Sequence, residues 1–295
     1  MLETLKTYLQ LSKPRVGGLL AYSGLASGLA ALRMGFASNS FLGLGSLETL
    51  ALTMAALTWG ILGANAVTCY IDRDIDAVME RTRRRPLPAG KIKPPEKALA
   101  YGLMLSLSAL ILLLMVSFYA GLWFAFGLLD STLIYNLLSK RKTSWNIILG
   151  SPAGGAPAMT VWSAVTGQPF HPIPFLMAAL IVLWTPSHIW SLAIRYAEDY
   201  ERAGVPMLPV KARFETAAKC IASTVLLLPL FSTLLGLAGS FHPAFYVIAA
   251  ALNAALIFLA LRLLWEPSHG RAWRLFKFTS PYLAVMLTIT FLFAG

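Results

Sequence analysis

Charge is what this 295-residue chain has least of: Asp, Glu, Lys and Arg together make 13% of it, while 57% is apolar. So few polar groups cannot cover a soluble domain of this size, and a mean hydropathy of +0.68 places the chain in lipid. Cysteine is almost missing. With Cys69 and Cys220 alone there is no disulfide framework to read, and redox chemistry is not indicated. Long polar stretches are also missing: the two longest, about 73 to 96 and 195 to 216, are loops by composition and leave no room for a soluble domain. Residues 1 to 12 form a short amphipathic lead with no small-residue cleavage site behind it, so no signal peptide is expected and the first apolar segment stays.

What is present is a series of nine apolar stretches, each near 20 residues, near 16 to 36, 48 to 71, 97 to 118, 120 to 138, 146 to 166, 173 to 194, 217 to 238, 244 to 264 and 274 to 294. They predict an all-α integral membrane bundle of nine transmembrane helices in one domain, 1 to 295. The third and fourth are joined by almost nothing, and Tyr119-Ala120-Gly121 is the expected turn. Every one of the 24 lysines and arginines except Arg33 then falls on one side of the membrane. Since such loops stay inside, the N-terminus is expected in the cytoplasm and the C-terminus outside, in a cell membrane. The net charge of +11 therefore belongs to one face, where it sets topology and attracts anionic membrane lipids. Nucleic acid is not expected as a partner, because the basic residues sit in short loops between spans.

Against that background, Asp72, Asp74 and Asp76 at the end of a long apolar run need a reason. On a helix Asn65, Cys69, Asp72 and Asp76 share one stripe, whereas Asp74 points elsewhere. Two carboxylates four residues apart, with a side-chain amide two turns earlier, can hold magnesium, which completes its shell with water and substrate phosphate. Arg81 and Arg85, also four apart, can grip phosphate oxygens. Simple neutralisation of neighbouring arginines at the headgroup level is the plainer reading, but it does not require an amide inside the span.

A second constellation, His188, Arg195 and Asp199, repeats the seven-then-four spacing of Asn65, Asp72 and Asp76. Both run into proline-bounded loops, Arg85-Pro86-Leu87-Pro88 and Val205-Pro206-Met207-Leu208-Pro209. The second and sixth predicted helices are thus candidates for equivalent members of an internal repeat, with the site between them. His188 is the one histidine inside a predicted span; a histidine there either serves a site or bonds between helices, and both readings stay open.

Asp72-Arg73-Asp74-Ile75-Asp76 with Met79-Glu80-Arg81-Thr82 and Arg85-Pro86-Leu87 resembles the first aspartate motif of the intramembrane prenyltransferases related to 4-hydroxybenzoate prenyltransferase. Ser12-Lys13-Pro14-Arg15-Val16, Ser139 to Thr143, Gly155-Ala156-Pro157, Trp184 to Trp190 and Asp199 to Pro209 are similar to the heme-farnesylating branch of that superfamily. One departure stands out: Thr68-Cys69 occupies the place where members often carry an amide, so Asn65 is expected to supply it instead.

The resemblance implies a central cavity open toward the cytoplasmic side, farnesyl diphosphate bound through Mg2+, and heme B as acceptor rather than cofactor. Water would add to the alkylated vinyl group to give heme O, which a downstream heme A synthase or terminal oxidase assembly would take. Carried over to this chain, Asn65, Asp72 and Asp76 would bind the metal, with Asp199 opposing them and Arg195 completing the catalytic set. Arg81, Arg85 and Lys142 would contact phosphate, Lys13 and Arg15 the diphosphate or the heme propionates, and His188 and Tyr196 the substrates. The rivals are an aromatic prenyltransferase acting on 4-hydroxybenzoate or a naphthoate, and an ion-coupled transporter. Acids clustered at one membrane face rather than the midplane argue against the transporter.

Overall fold

The computed structural model describes residues 2–38 and 42–295, without the side chains of Leu2 and Arg15, and within them every regular element is helical. A short α1 (Leu2–Leu11) leads into α2 (Pro14–Arg33), which starts on a proline where a missing N–H costs nothing. Next come α3 (Ser46–Ile71), a short α4 (Arg73–Val78), α5 (Glu96–Val116) and α6 (Phe118–Leu129), which runs on into a π-helical segment, Asp130–Ser139. They are followed by α7 (Asn146–Gly150), α8 (Pro152–Thr166), α9 (Pro172–Arg195), α10 (Ala197–Arg202), α11 (Leu208–Lys211), α12 (Phe214–Ala238), α13 (Pro243–Trp265) and α14 (His269–Phe293).

Seven of these helices are long and apolar enough to cross a membrane: α3, α5, α6 with its π segment, α9, α12, α13 and α14. The protein is therefore multi-pass. The other two predicted spans are helical but outside that set: α2 has Gly, Ser and Ala between its leucines, and α7 and α8 are separated at Ser151. At 20 residues, α2 is about 30 Å long.

Contacts define two ends of the bundle. At one, the segments around Asp72, Lys140, Glu80, Asp199 and Tyr196 touch one another. At the other, the Arg33 guanidinium donates to the Ala294 carbonyl, and the Ser38 N–H donates to Val165. Trp162, Trp190, Tyr282 and Phe245 are fully buried between the helices. Where α3 crosses α5, a Cβ added to Gly63 would stand 2.6 Å from Ser106 Oγ, and one on Gly102 would stand 2.8 Å from the Val67 backbone N. The backbones meet closely because these residues are glycine.

The structure corrects the expected hairpin between the third and fourth spans. Tyr119-Ala120-Gly121 is helical, and the turn is a single extended residue, Ser117 (φ −159°, ψ 125°), whose hydroxyl accepts from the Ala120 N–H. Gly121 serves close approach instead, since a Cβ there would lie 2.3 Å from Leu114 Cδ2. A second correction concerns the stripe. No single helix carries Asn65 through Asp76, because α3 ends at Ile71 and Asp72 (φ −90°, ψ 4°) is the joint before α4. Helix α9 ends the same way: Tyr196 is the joint before the six-residue α10. Aligned on the joints, Asp72 matches Tyr196 rather than Arg195, one residue off the spacing match.

Candidate functional site

The acids at the α3–α4 joint take three different partners. Asp72 is buried, and its Oδ2 receives the Lys140 ammonium. Asp76 is buried as well, and Arg85 Nη1 donates to its two oxygens at 2.8 and 2.9 Å. Asp74, its side chain 59% exposed, meets the Arg141 fork at 2.6 and 2.7 Å. These hydrogen bonds hold the Asp74 carboxyl down at about 2.

Asp199, from α10, reaches the same region from the other side. It accepts the N–H groups of Glu80 and Arg81 at 3.2 Å each, together with the Arg202 guanidinium. Burial pushes this carboxyl up, but the Glu80 N–H, Arg202 and the Arg81 N–H outweigh it and hold it below the usual carboxylate range. Asp199 thus ties the loop that carries Arg81 to the end of α9. Arg81 itself lies over the Tyr196 ring, 5.5 Å from its centroid.

Beneath these ion pairs lies a cavity of about 880 Å³. Its walls are chiefly apolar, with Leu57, Ile61, Phe124, Trp184 and Phe276 among them, and Asn65, Thr68, Tyr135 and His188 add polar groups. His188 is stacked between Trp184 and Phe276, with centroids 4.5 Å away on each face. Its Nδ1 lies 2.7 Å from Thr279 Oγ1, and the Trp184 indole N–H donates to the Thr279 carbonyl at 2.7 Å.

Not every expected residue arrives. Arg195 lies over the Trp273 ring at 4.9 Å rather than among the carboxylates. Lys142 is exposed; the lysine that faces α3 is Lys140, two residues earlier. Lys140 turns inward in a π-helical register, its N–H bonding to the Tyr135 carbonyl five residues back. Cys69 is engaged elsewhere, its Sγ–H donating to the Leu11 carbonyl at 3.2 Å. Lys13 is half-buried with a left-handed φ of 47°, and the Arg15 side chain lies outside the described residues.

No three His, Cys, Asp or Glu side chains converge on one point among the described residues. Two buried polar atoms nevertheless lack partners there, Asp72 Oδ1 and Asn65 Nδ2, and the Asn amide can present either end. Such a donor set fits a hard cation that takes one or two carboxylates and fills its shell with water and phosphate oxygens.

An apolar chamber inside a membrane bundle, with Asn65 and Thr68 in its wall one to two turns before the paired acids and bases at the end of α3, fits a class: intramembrane enzymes that hold a charged head group over a buried apolar tail. The chain belongs to the UbiA prenyltransferase family, whose pattern it matches over residues 24–282. It is 42% identical to the protoheme IX farnesyltransferase of Desulforudis audaxviator over 284 residues, covering 96% of this chain and 87% of that one. With the protoheme IX farnesyltransferase of Thermoplasma volcanium it shares 36% over 294 residues, 99% of both chains. Among solved structures, one from a study of digeranylgeranylglyceryl phosphate synthase superposes with a TM-score of 0.77 at 20% identity, covering 98% of each chain. A UbiA homolog from Archaeoglobus fulgidus bound to GPP and Mg2+ superposes at 0.64 and 14% identity, covering 96% of this chain and 99% of that one. At these identities the superpositions establish the fold.

Proposed function

We propose that this prenyltransferase moves a farnesyl group from farnesyl diphosphate to a vinyl group of heme B, with addition of water, giving heme O and diphosphate. The observation that carries the reading is full-length identity of 36–42% to protoheme IX farnesyltransferases, in a chain whose cavity holds a histidine. Asn65, Asp72 and Asp76, with Asp199 opposing, would hold Mg2+. Bound there, the metal would offset the charge that grows on the leaving diphosphate.

The chain's own residues do the rest. Lys140, Arg85 and Arg81 bind phosphate oxygens; in the free protein the first two rest on Asp72 and Asp76, which keeps those carboxylates neutralised until substrate arrives. The farnesyl tail fills the apolar cavity, where leucine, isoleucine and phenylalanine walls keep water from the allylic cation. Attack by the vinyl carbon forms the new C–C bond as the C–O bond to diphosphate breaks. The resulting cation on the heme side takes one water, which loses its proton.

The same reading sets topology: nine crossings in a plasma membrane, N-terminus cytoplasmic, C-terminus outside, the cavity opening to the cytoplasm. Support comes from α2, which begins beside the charged end and finishes with Arg33 against Ala294. The two long helices that end in one-residue joints before six-residue helices are proposed as repeat-related units of one domain. Purified protein given Mg2+, farnesyl diphosphate and an equimolar mixture of heme B, 4-hydroxybenzoate and a naphthoate tests the acceptor. Farnesylated heme is the expected product; prenylated 4-hydroxybenzoate or naphthoate with unmodified heme would replace the assignment.

A further inference from the structure

We propose that His188 Nε2 is an axial ligand for the iron of the heme acceptor, and that Thr279 is the positioning residue that presents it. The inference rests on the heme reading above and goes beyond it by assigning the docking contact. It starts from one hydroxyl. Thr279 Oγ1 lies 2.7 Å from the Phe276 carbonyl and 2.7 Å from His188 Nδ1; since a carbonyl only accepts and a hydroxyl has one proton, the arrangement that satisfies both contacts has Thr279 donating to Phe276 and accepting from Nδ1. Nδ1 therefore carries the ring proton, and Nε2 keeps an in-plane lone pair.

The surroundings leave that lone pair one direction. Trp184 and Phe276 cover the two ring faces at interplanar angles of 18° and 27°, and Thr279 takes the Nδ1 edge. What His188 contributes to the cavity wall is consequently its remaining edge, which bears Nε2. Nε2 has no hydrogen-bond partner among the described residues and is not among the sealed, unsatisfied polar atoms, so it stays open to the cavity. A neutral imidazole with one nitrogen bare and the other donating to a fixed oxygen is the form in which histidine binds heme iron. Seven residues separate His188 from Arg195 at the end of α9, about 10 Å along the helix axis, so His188 sits in the body of α9 rather than at its charged end.

Titration of the purified full chain with ferric heme B, followed by absorption and electron paramagnetic resonance, tests the assignment. Wild type should give an imidazole-ligated spectrum. His188→Ala should lose it and regain it with added free imidazole, while binding of magnesium diphosphate shows that the variant is folded. Thr279→Val should weaken heme binding by roughly 10- to 100-fold, the usual cost of losing a ligand's hydrogen-bond partner, and Thr279→Ser should restore it. If His188→Ala keeps the wild-type spectrum and affinity, the ligand assignment is refuted, whatever happens to turnover. Wild-type protein that binds no heme at all would refute the acceptor reading itself, and the ligand assignment with it.

Discussion

Lys140→Met and Lys142→Met separate the lysine the structure places on Asp72 from the one the family resemblance implies. The Lys140 side chain is 12% exposed and its Asp72 partner 5% exposed, so the pair is largely shielded from water. Asp72 Oδ1 already lacks a partner, and losing Lys140 leaves both oxygens of a buried carboxylate uncompensated. Breaking a buried pair from one side costs roughly 3–5 kcal/mol. Lys142 is exposed, and its loss should stay within about 0.5 kcal/mol. Thermal unfolding in detergent micelles, run beside turnover, reads both effects. The double variant Asp72→Asn with Lys140→Met removes the stranded charge and should recover much of the stability while remaining inactive. Equal damage from the two single lysine variants, or a double variant no more stable than Lys140→Met, would refute the reasoning.

Asp72→Asn and Asp76→Asn should each lower turnover by orders of magnitude, while the exposed Asp74→Asn should act mildly; steady-state kinetics of the three decide, and equal losses would favour plain charge balance. Asp74, held near 2, contributes stability above its unfolded value of 3.8 and loses it as pH falls through about 2, so wild type and Asp74→Asn should converge in unfolding scans across that window. At neutral pH the gap should be below about 1 kcal/mol, because the pair is exposed. Asp199→Ala removes the acceptor that ties the Glu80 and Arg81 N–H groups to α10, so proteolysis of the 79–85 loop should speed up and KM for farnesyl diphosphate should rise together. Gly102→Leu should destabilise by several kcal/mol through the α3–α5 contact, seen as loss of the folded peak in size-exclusion chromatography.

The membrane helices were legible because each is an apolar run of span length, and runs such as 173 to 194 differ by one residue at each end from Pro172–Arg195. Composition alone marks where apolar surface must be buried, so such boundaries survive. The Ser117 turn was not legible, since one extended serine between two apolar helices leaves no loop composition to detect. Lys140 was not legible either: the family resemblance implied Lys142, and the π-helical register in which Lys140 turns inward leaves no mark in the sequence. Thr279 was hidden by distance: it meets His188 across 91 residues, and a threonine in an apolar helix carries no signal of its partner. Asp72, Asp76 and Asp199 stood out for the opposite reason, because carboxylates at the end of a greasy run require partners.

The central claim is farnesyl transfer to heme with capture of one water. The direct measurement is the mass of hemes extracted after incubating the protein with Mg2+, farnesyl diphosphate and heme B in ¹⁸O-labelled water. The account predicts heme carrying one farnesyl group and one labelled hydroxyl oxygen. Heme recovered unchanged, or farnesylated without the label, would contradict it.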